Sequence, residues 1–343
     1  MPLRNTAALV AEAIKSVLDQ RGCVLEVLIS DDASEDGTLD EATRTVAADL
    51  GPHQVVVLRA DQRLGIDHLQ HLVDRASCRL LIEAHGDDVS LPGRMARLIA
   101  VYRETGASLI TSLVHYRHGD DGPLEPQPFP PLLAPGWIGM EALVMDNPGV
   151  LSGARYAFDS AVHDRFTRLD SSYLPAGHDV LQAFRATLLT GVWYTAERLL
   201  QYRLHPGQGS MLLADRRSPA AAKFGWSLRR LAVVRAMGRD LDHAEAKALV
   251  DPTQASIARG VLARATSELL DRMLDSRDDL LRAGRQALWV NEHEFGLANR
   301  NRLGSYLADR AALTGPALDI LLKFRTRFRQ YRSSYLGRRP WIR

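Results

Sequence analysis

Two short acidic runs carry the chemistry that this sequence offers. His85-Gly86-Asp87-Asp88 follows the apolar run Leu80-Leu81-Ile82 and precedes Pro92 and the periodic segment Arg94–Tyr102. That order reads as a buried strand ending in adjacent carboxylates, then a turn, then a helix opened near its first turn by proline. Asp31-Asp32 closes a second strand candidate, Val24–Ser30. In an open α/β sheet, acids at the C-terminal ends of strands rim the crevice where ligands bind, and a divalent cation with a diphosphate is their natural partner. In one parallel sheet the two pairs would face the same crevice. Each pair taken alone reads as an ordinary solvated turn. Together they cluster four carboxylates with no basic partner in the adjoining turns, which is costly unless a cation or a donor-rich ligand offsets the repulsion.

The elements that must position these acids alternate in type. Residues 7–19 form an amphipathic helix with Leu9, Ala13, Ile14, Val17 and Leu18 in one stripe. A turn at Ser34–Gly37 leads to a helix from Thr38 to Leu50, and Gln54–Ala60 is a strand. A helix over 66–75 leads to the strand at 79–84, and the helix after Pro92 leads to a strand at Ala107–Ser112. This alternation predicts a parallel, doubly wound sheet with helices on both faces. Met1–Asn5 is too short to be a strand of its own. Prolines and glycines crowd residues 119–136 and exclude regular helix or central strand there.

Beyond that break, Trp137–Met145 reads as a helix, and Val150–Phe158 contains a small strand-like piece. Gly177-His178-Asp179 opens a helix to about Leu189, where a first-turn acid also suits the helix dipole. Val192–Thr195 and Leu199–Leu204 look like two short strands. From about residue 216 helical patterns dominate, at 219–237, 240–249, 253–275, 277–290 and 302–310, which suits a small bundle. The expected division is therefore an α/β domain at 1–212 and a helical region at 213–343.

Composition narrows the class. The 343 residues are 46% hydrophobic and 24% charged with a formal charge of +2, as in an ordinary soluble globular protein. Cys23 and Cys78 form neither a metal spacing nor a disulfide framework, which fits a reducing compartment. No run of 18 apolar residues is present, and the N-terminus lacks the apolar core of a signal peptide. Near the C-terminus Leu318, Leu321, Phe324, Phe328, Tyr331 and Tyr335 recur every three or four residues among Lys323, Arg325, Arg327, Arg329 and Arg332. Such a basic amphipathic helix, within 318–343, can close over its own chain, lie on an anionic membrane surface or dock on another partner. Nucleic acid is not an expected partner, because no recognition motif or aromatic platform is present.

Taken together, these residues resemble the inverting family 2 glycosyltransferases, whose GT-A-like catalytic domain is a mostly parallel, Rossmann-like nucleotide-sugar-binding α/β fold. The resemblance covers roughly residues 1–210. Met1–Asn5 looks like the end of that family's first strand, so most of the strand is expected to be absent. Ile29-Ser30-Asp31-Asp32-Ala33-Ser34-Glu35-Asp36-Gly37-Thr38 is the most specific match, to an Asp-Asp-x-Ser-x-Asp-Gly-Thr segment. It implies that Asp31 or Asp32 contacts the donor nucleoside, as a carboxylate accepting hydroxyl or base N–H groups can. Arg63-Leu64-Gly65 resembles the next loop, with Asp61 where Asn is common, and puts Arg63 beside the donor.

His85-Gly86-Asp87-Asp88 is similar to the family's Asp-x-Asp-Asp, with His85 in the first Asp position. The resemblance gives Asp87 to Mn²⁺ or Mg²⁺, places Asp88 at the nucleotide sugar, and leaves His85 as either a ligand or a phosphate donor. Nitrogen ligation would favour Mn²⁺. Asp179 matches the second residue of a Glu-Asp pair, the general base, with His178 in the Glu position. Tyr202-Arg203-Leu204-His205 resembles Tyr-Arg-x-His and assigns Arg203 and His205 to the departing diphosphate, with His205 also in reach of the metal. Trp137, Ser152 and Gly153 are acceptor-side candidates. The implied activity is inverting transfer from a nucleoside-diphosphate sugar to a glycan or lipid-linked hydroxyl. The expected setting is polysaccharide synthesis in the cytoplasm, at the inner face of the membrane if the basic tail binds there. The alternative is a nucleotide-sugar-binding or assembly protein without turnover.

Overall fold

The computed structural model describes residues 1–49, 51–118, 122–126, 134–146, 149–174, 177–205 and 219–283, with the backbone alone at 219–224 and 274–283. The expected basic segment 318–343, the helix at 302–310 and much of the Pro-rich stretch lie outside the described residues.

Strand β1 (Pro2–Leu3) pairs in parallel with β2 (Glu26–Asp31), which pairs in parallel with β3 (Gln54–Arg59). Met1–Asn5 therefore does supply a strand, of two residues. Leu3 is fully buried among Val10, Ile14 and Ile29, so its side chain anchors what two backbone pairings alone could not. Helix α1 (Val10–Leu18) buries the expected stripe at Val10, Ala13, Ile14, Val17 and Leu18. Helix α2 (Thr38–Ala47) starts where glycine takes the left-handed conformation, at Gly37 with φ 86°. Helix α3 (Asp67–Val73) follows β3.

The second sheet has the order β4-β9-β6-β10-β5, from β4 (Leu80–Ile82), β9 (Ala157–Asp159), β6 (Leu109–His118), β10 (Val192–Leu204) and β5 (Val89–Ser90). Strands β7 (Leu124–Pro126) and β8 (Gly136–Ile138) add to β6 and β10. In this sheet β6 and β10 are parallel, whereas β4–β9, β6–β9, β5–β10, β7–β6 and β8–β10 are antiparallel. The fold is α/β, but the single parallel sheet expected to carry both acid pairs is divided in two. Helix α4 (Arg94–Thr105) packs Leu98 and Val101 against Ile110 and Ala157 of this sheet.

Two expected strands at 192–204 are one strand, whose register with β6 shifts at Thr195/Arg198 and Arg198/Leu200. A bulge reads in sequence like a break because it interrupts the alternation of side chains. The helix expected at 137–145 is instead β8 followed by a π-turn at Ala142–Asp146. A 3₁₀ turn (Gly153–Arg155) precedes β9, and α5 (Ala161–Asp164) and α6 (His178–Thr187) follow it.

Helices α7 (Pro219–Ala246) and α8 (Pro252–Ala283) each run through an expected break. The chain forms two compact units, Met1–Ala214 with Arg229–Ser267, and Asp215–Leu228 with Glu268–Arg343. This corrects the boundary at 212/213, because residues 229–267 belong with the α/β unit. Arg230 donates to the Val144 carbonyl (2.8 Å), and Asp240 accepts from Arg185 (2.6 Å) with both side chains fully buried. In the second unit Arg272 and Glu268 form an exposed ion pair one helical turn apart. Among the described residues no helix is long and apolar enough to cross a membrane.

The α/β unit also encloses a neutral histidine. His163 Nε2 meets the Gln182 amide (3.0 Å) and Nδ1 meets Gln70 Oε1 (2.9 Å). Burial first, then Arg185 and His178, lower its pKa from 6.5 to about 3. The unfolded chain therefore binds the extra proton between those values. Stability from this group is complete above the unfolded pKa and is lost as the pH falls below it. Between about pH 7.5 and about pH 5.5 the loss from this one group is about 1.4 kcal/mol. Urea unfolding at the two pH values should show a drop that is smaller by that amount in His163→Gln than in the parent.

Candidate active site

The residues after β1 are fastened to those after β2. The Asn5 N–H donates to Ser34 Oγ (3.0 Å), the Thr6 N–H to Thr38 Oγ1 (2.8 Å) and the Ala7 N–H to Asp36 Oδ2 (3.0 Å). The Glu35 N–H returns to Asn5 Oδ1 (3.1 Å). Ser34, Glu35, Asp36 and Thr38 are thus the fasteners of a double loop. Asp31 and Asp32, both buried, differ in what they have left to offer. Asp32 accepts the Leu64 N–H through Oδ1 and the Gly65 N–H through Oδ2 (2.9 Å), so it fixes the loop on which Arg63 is exposed. Asp31 accepts the Ser34 N–H (3.0 Å) through Oδ2, while its buried Oδ1 has no hydrogen-bond partner.

The second acid loop reaches the first through β1. A Cβ on Gly86 would lie 2.6 Å from Leu3 Cδ2 and 2.9 Å from Thr6 Oγ1, so glycine lets the loop press directly against β1. Leu3 is in register with Asp31. The acid pairs come from different sheets, and the shared neighbour β1 brings them together. One ligand atom each from His85, Asp87 and Asp88 lie within 4.8 Å of one another. One imidazole and two carboxylates form a donor set that fits a divalent cation, and the nitrogen favours Mn²⁺ over Mg²⁺. His205 Nε2 stands 3.1 Å from Asp87 Oδ2.

Asp88 is buried and accepts the Arg203 N–H (3.0 Å). Burial, and then Asp87, push its pKa up to about 7. The Arg203 guanidinium points the other way, to Glu12 (2.9 Å) and the Leu9 carbonyl (3.4 Å) on the α1 side. This corrects the expectation that its side chain faces a diphosphate: the group it presents to the acid loop is its backbone N–H.

Beneath the loop lies Arg94, 0% exposed. It donates to Ser90 Oγ (2.9 Å), the Glu83 carbonyl (2.8 Å) and the Ala154 carbonyl (2.7 Å). Burial lowers its pKa to about 10, opposed by Asp88 and Glu83, so it stays charged. Of the four acids, Asp88 therefore has a buried counter-charge in Arg94, which corrects in part the reading of an uncompensated cluster. Glu83, 7% exposed, holds its carboxylate between His85 Nε2 (3.4 Å) and the Gln182 amide (3.4 Å). Sequence reading passed over Glu83 and Arg94; a carboxylate beside Leu80–Ile82 was the available signal for the first.

Asp179 sits in the first turn of α6, capped by Gly177 at φ 86°. Its carbonyl accepts the Tyr156 hydroxyl (3.2 Å), and its Oδ1 accepts the Val180 N–H (2.9 Å). Burial, with Glu83 adding to it, raises its pKa above the ordinary carboxylate value. His178 turns inward, with Nε2 at the Leu174 carbonyl (2.9 Å). Ser152 and Gly153 adjoin this region, because a Cβ on Gly153 would lie 2.6 Å from Glu83 Oε2. Trp137 does not. It pairs with Trp193 at the opposite end of β10 from Arg203, roughly 30 Å away at the ~3.3 Å rise of a strand. There its 52%-exposed ring helps line a separate groove of about 550 Å³ with Thr190, Gly191 and Ile257.

Arg94→Met should lower unfolding stability by about 3–5 kcal/mol, because three acceptors lose their donor and buried acids lose their counter-charge. Chemical denaturation of the two proteins measures this directly.

Residues 1–166 match the family described as "Glycosyl transferase family 2". A Bacillus subtilis (strain 168) protein named as a glycosyltransferase, EpsE, is 31% identical over 100 residues, which are 29% of this chain and 36% of that protein. The chain thus matches little more than a third of the length of this relative. The structure of S. aureus TarS 1–349, solved in complex with UDP-GlcNAc, superposes with a TM-score of 0.50 at 13% identity, covering 81% of this chain and 90% of that one, a likeness of fold. Residues 1–166 are thus similar to glycosyl transferase family 2, and the chain's α/β fold is like that of TarS 1–349.

Proposed function

We propose that this protein transfers a sugar from a nucleoside-diphosphate sugar to a hydroxyl of a glycan or lipid-linked acceptor, with inversion at the anomeric carbon. The observation that carries this reading is the contact of Gly86 with Leu3, which sets His85, Asp87 and Asp88 across one short strand from Asp31. Asp31 accepts a hydroxyl or base N–H of the nucleoside through its unpartnered Oδ1. Asp32 positions the loop that bears Arg63. Asp87 and Asp88, with His85 and His205, would hold Mn²⁺ or Mg²⁺. That cation would offset the charge developing on the diphosphate.

Asp179 takes the proton from the acceptor hydroxyl. The acceptor oxygen bonds to the anomeric carbon as the bond to the diphosphate breaks on the opposite face, so an α-linked donor gives a β-linked product. A raised pKa suits the base, since proton transfer is most effective when its pKa approaches the working pH. Ser152 and Gly153, next to Glu83, border the acceptor side. Free Cys23 and Cys78 favour the cytoplasm as the place of action, and the basic segment 318–343 favours its membrane face.

A panel of UDP-, GDP- and TDP-sugars, with and without Mn²⁺, should give binding and nucleotide release for at least one donor. Failure of every donor to bind would refute the reading. With that donor, Asp179→Asn should reduce turnover by about 10²–10⁴-fold while leaving the donor dissociation constant within about twofold. Equal turnover would remove Asp179 as the base. The full chain should float with anionic liposomes and a 1–316 protein should not.

A further inference from the structure

In this chain the first acid of the Asp-x-Asp-Asp pattern is His85, and a histidine can ligate a metal well only if its other nitrogen is fixed. His85 Nε2 faces Glu83 Oε2 (3.4 Å), which leaves Nδ1 as the nitrogen free to ligate. Glu83 is itself held at several points. Its N–H donates to the Tyr156 carbonyl (2.9 Å), and its carbonyl accepts from Arg94 (2.8 Å). Oε1 accepts from the Gln182 amide (3.4 Å), and Gln182 is fixed in turn by His163 (3.0 Å). Gly153 lies so close to Oε2 that any side chain there would displace the carboxylate. Of the side chains this carboxylate meets, His85 is the one that belongs to the cluster with Asp87 and Asp88.

We propose that Glu83 is a positioning residue for the cation site, forming a carboxylate–histidine–metal relay in which it receives the Nε2–H of His85 and turns Nδ1 toward the ion shared with Asp87 and Asp88. Glu83 thereby keeps near the site, one residue removed, the negative charge that an acid at position 85 would have supplied directly. Glu83 touches neither donor nor acceptor in this arrangement. The inference rests on the metal reading of the site, and its test separates the two.

Mn²⁺ alone is the probe, titrated into the full chain while the EPR signal of the free ion is followed. Glu83→Gln keeps the shape and the contact with Gln182 but cannot accept the His85 proton in the same way. Its Mn²⁺ dissociation constant should rise about 10- to 100-fold, as should that of His85→Ala. The double variant should bind no more weakly than His85→Ala alone, because both changes break one relay. Electron spin-echo measurements on bound Mn²⁺ should show a nitrogen coupling in the parent that is lost in His85→Ala and weakened in Glu83→Gln. Gly153→Ala, which moves the Glu83 carboxylate without altering its charge, should weaken Mn²⁺ in the same direction and covers the case of a poorly folded Glu83→Gln. Binding by Glu83→Gln and Gly153→Ala within twofold of the parent, or fully additive losses in the double variant, would overturn the role of Glu83 and leave the metal site standing. No Mn²⁺ binding by the parent would overturn both.

Discussion

The guanidinium of Arg94 is the point on which the site depends. Two carbonyls from separate segments, at Glu83 and Ala154, and the Ser90 hydroxyl converge on one fully buried cation. Breaking such a site by removing one partner is costly, because the remaining polar groups have already left water. The segment after β4, the end of β5 and the turn before β9 are therefore held as a unit. Arg94 also explains how Asp87 and Asp88 can sit side by side above an apolar core. Its charge acts on buried Asp88, while His205 Nε2 stands 3.1 Å from Asp87.

The loops on the other side of β1 are fastened mainly through backbone N–H groups. Ser34, Asp36 and Thr38 accept backbone N–H groups of residues 5–7, and these bonds satisfy amides that a two-residue strand leaves unpaired. Ala33 takes the left-handed conformation at φ 52°, a strain of about 1 kcal/mol for a residue with a Cβ. It is tolerated where the Arg4 guanidinium binds the carbonyls of Asp32 and Ala33. Asp31 emerges from this fastening with one oxygen unpartnered, and Asp32 with none. Two adjacent acids of one type thus divide into one with an acceptor oxygen to spare and one that holds a loop, through their neighbours alone.

The strands, the first helices and the two acid loops were legible because each follows from local pattern: an apolar run, a stripe at helical spacing, a turn residue. Three features were not. The division into two sheets depends on antiparallel pairings such as β4 with β9, between segments some 80 residues apart, for which spacing gives no signal. The bulges in β10 imitate a loop. The roles of Glu83 and Arg94 are set by burial, and a charged residue in sequence reads as a surface residue until its partners are known. Arg203 illustrates the opposite error, since its backbone N–H meets Asp88 but its side chain reaches Glu12 and the Leu9 carbonyl.

Helix α6 shows how buried polar and charged side chains set the orientation of Asp179. His178, Gln182 and Arg185 recur at spacings of four and three, which on a surface helix would mark the solvent face. Here that face is buried, and each residue has a specific partner: the Leu174 carbonyl, His163 with Glu83, and Asp240. Apolar residues of equal volume could stabilise such a helix as well or better. They would not fix its rotation, because apolar contacts are non-directional whereas hydrogen bonds and the Arg185 fork are not. Asp179 is the neighbour of His178 on the next position of the same turn, so its direction follows from those three contacts. The same Glu83 that meets His85 Nε2 (3.4 Å) also helps to raise the pKa of Asp179, so a single carboxylate acts on both candidate residues.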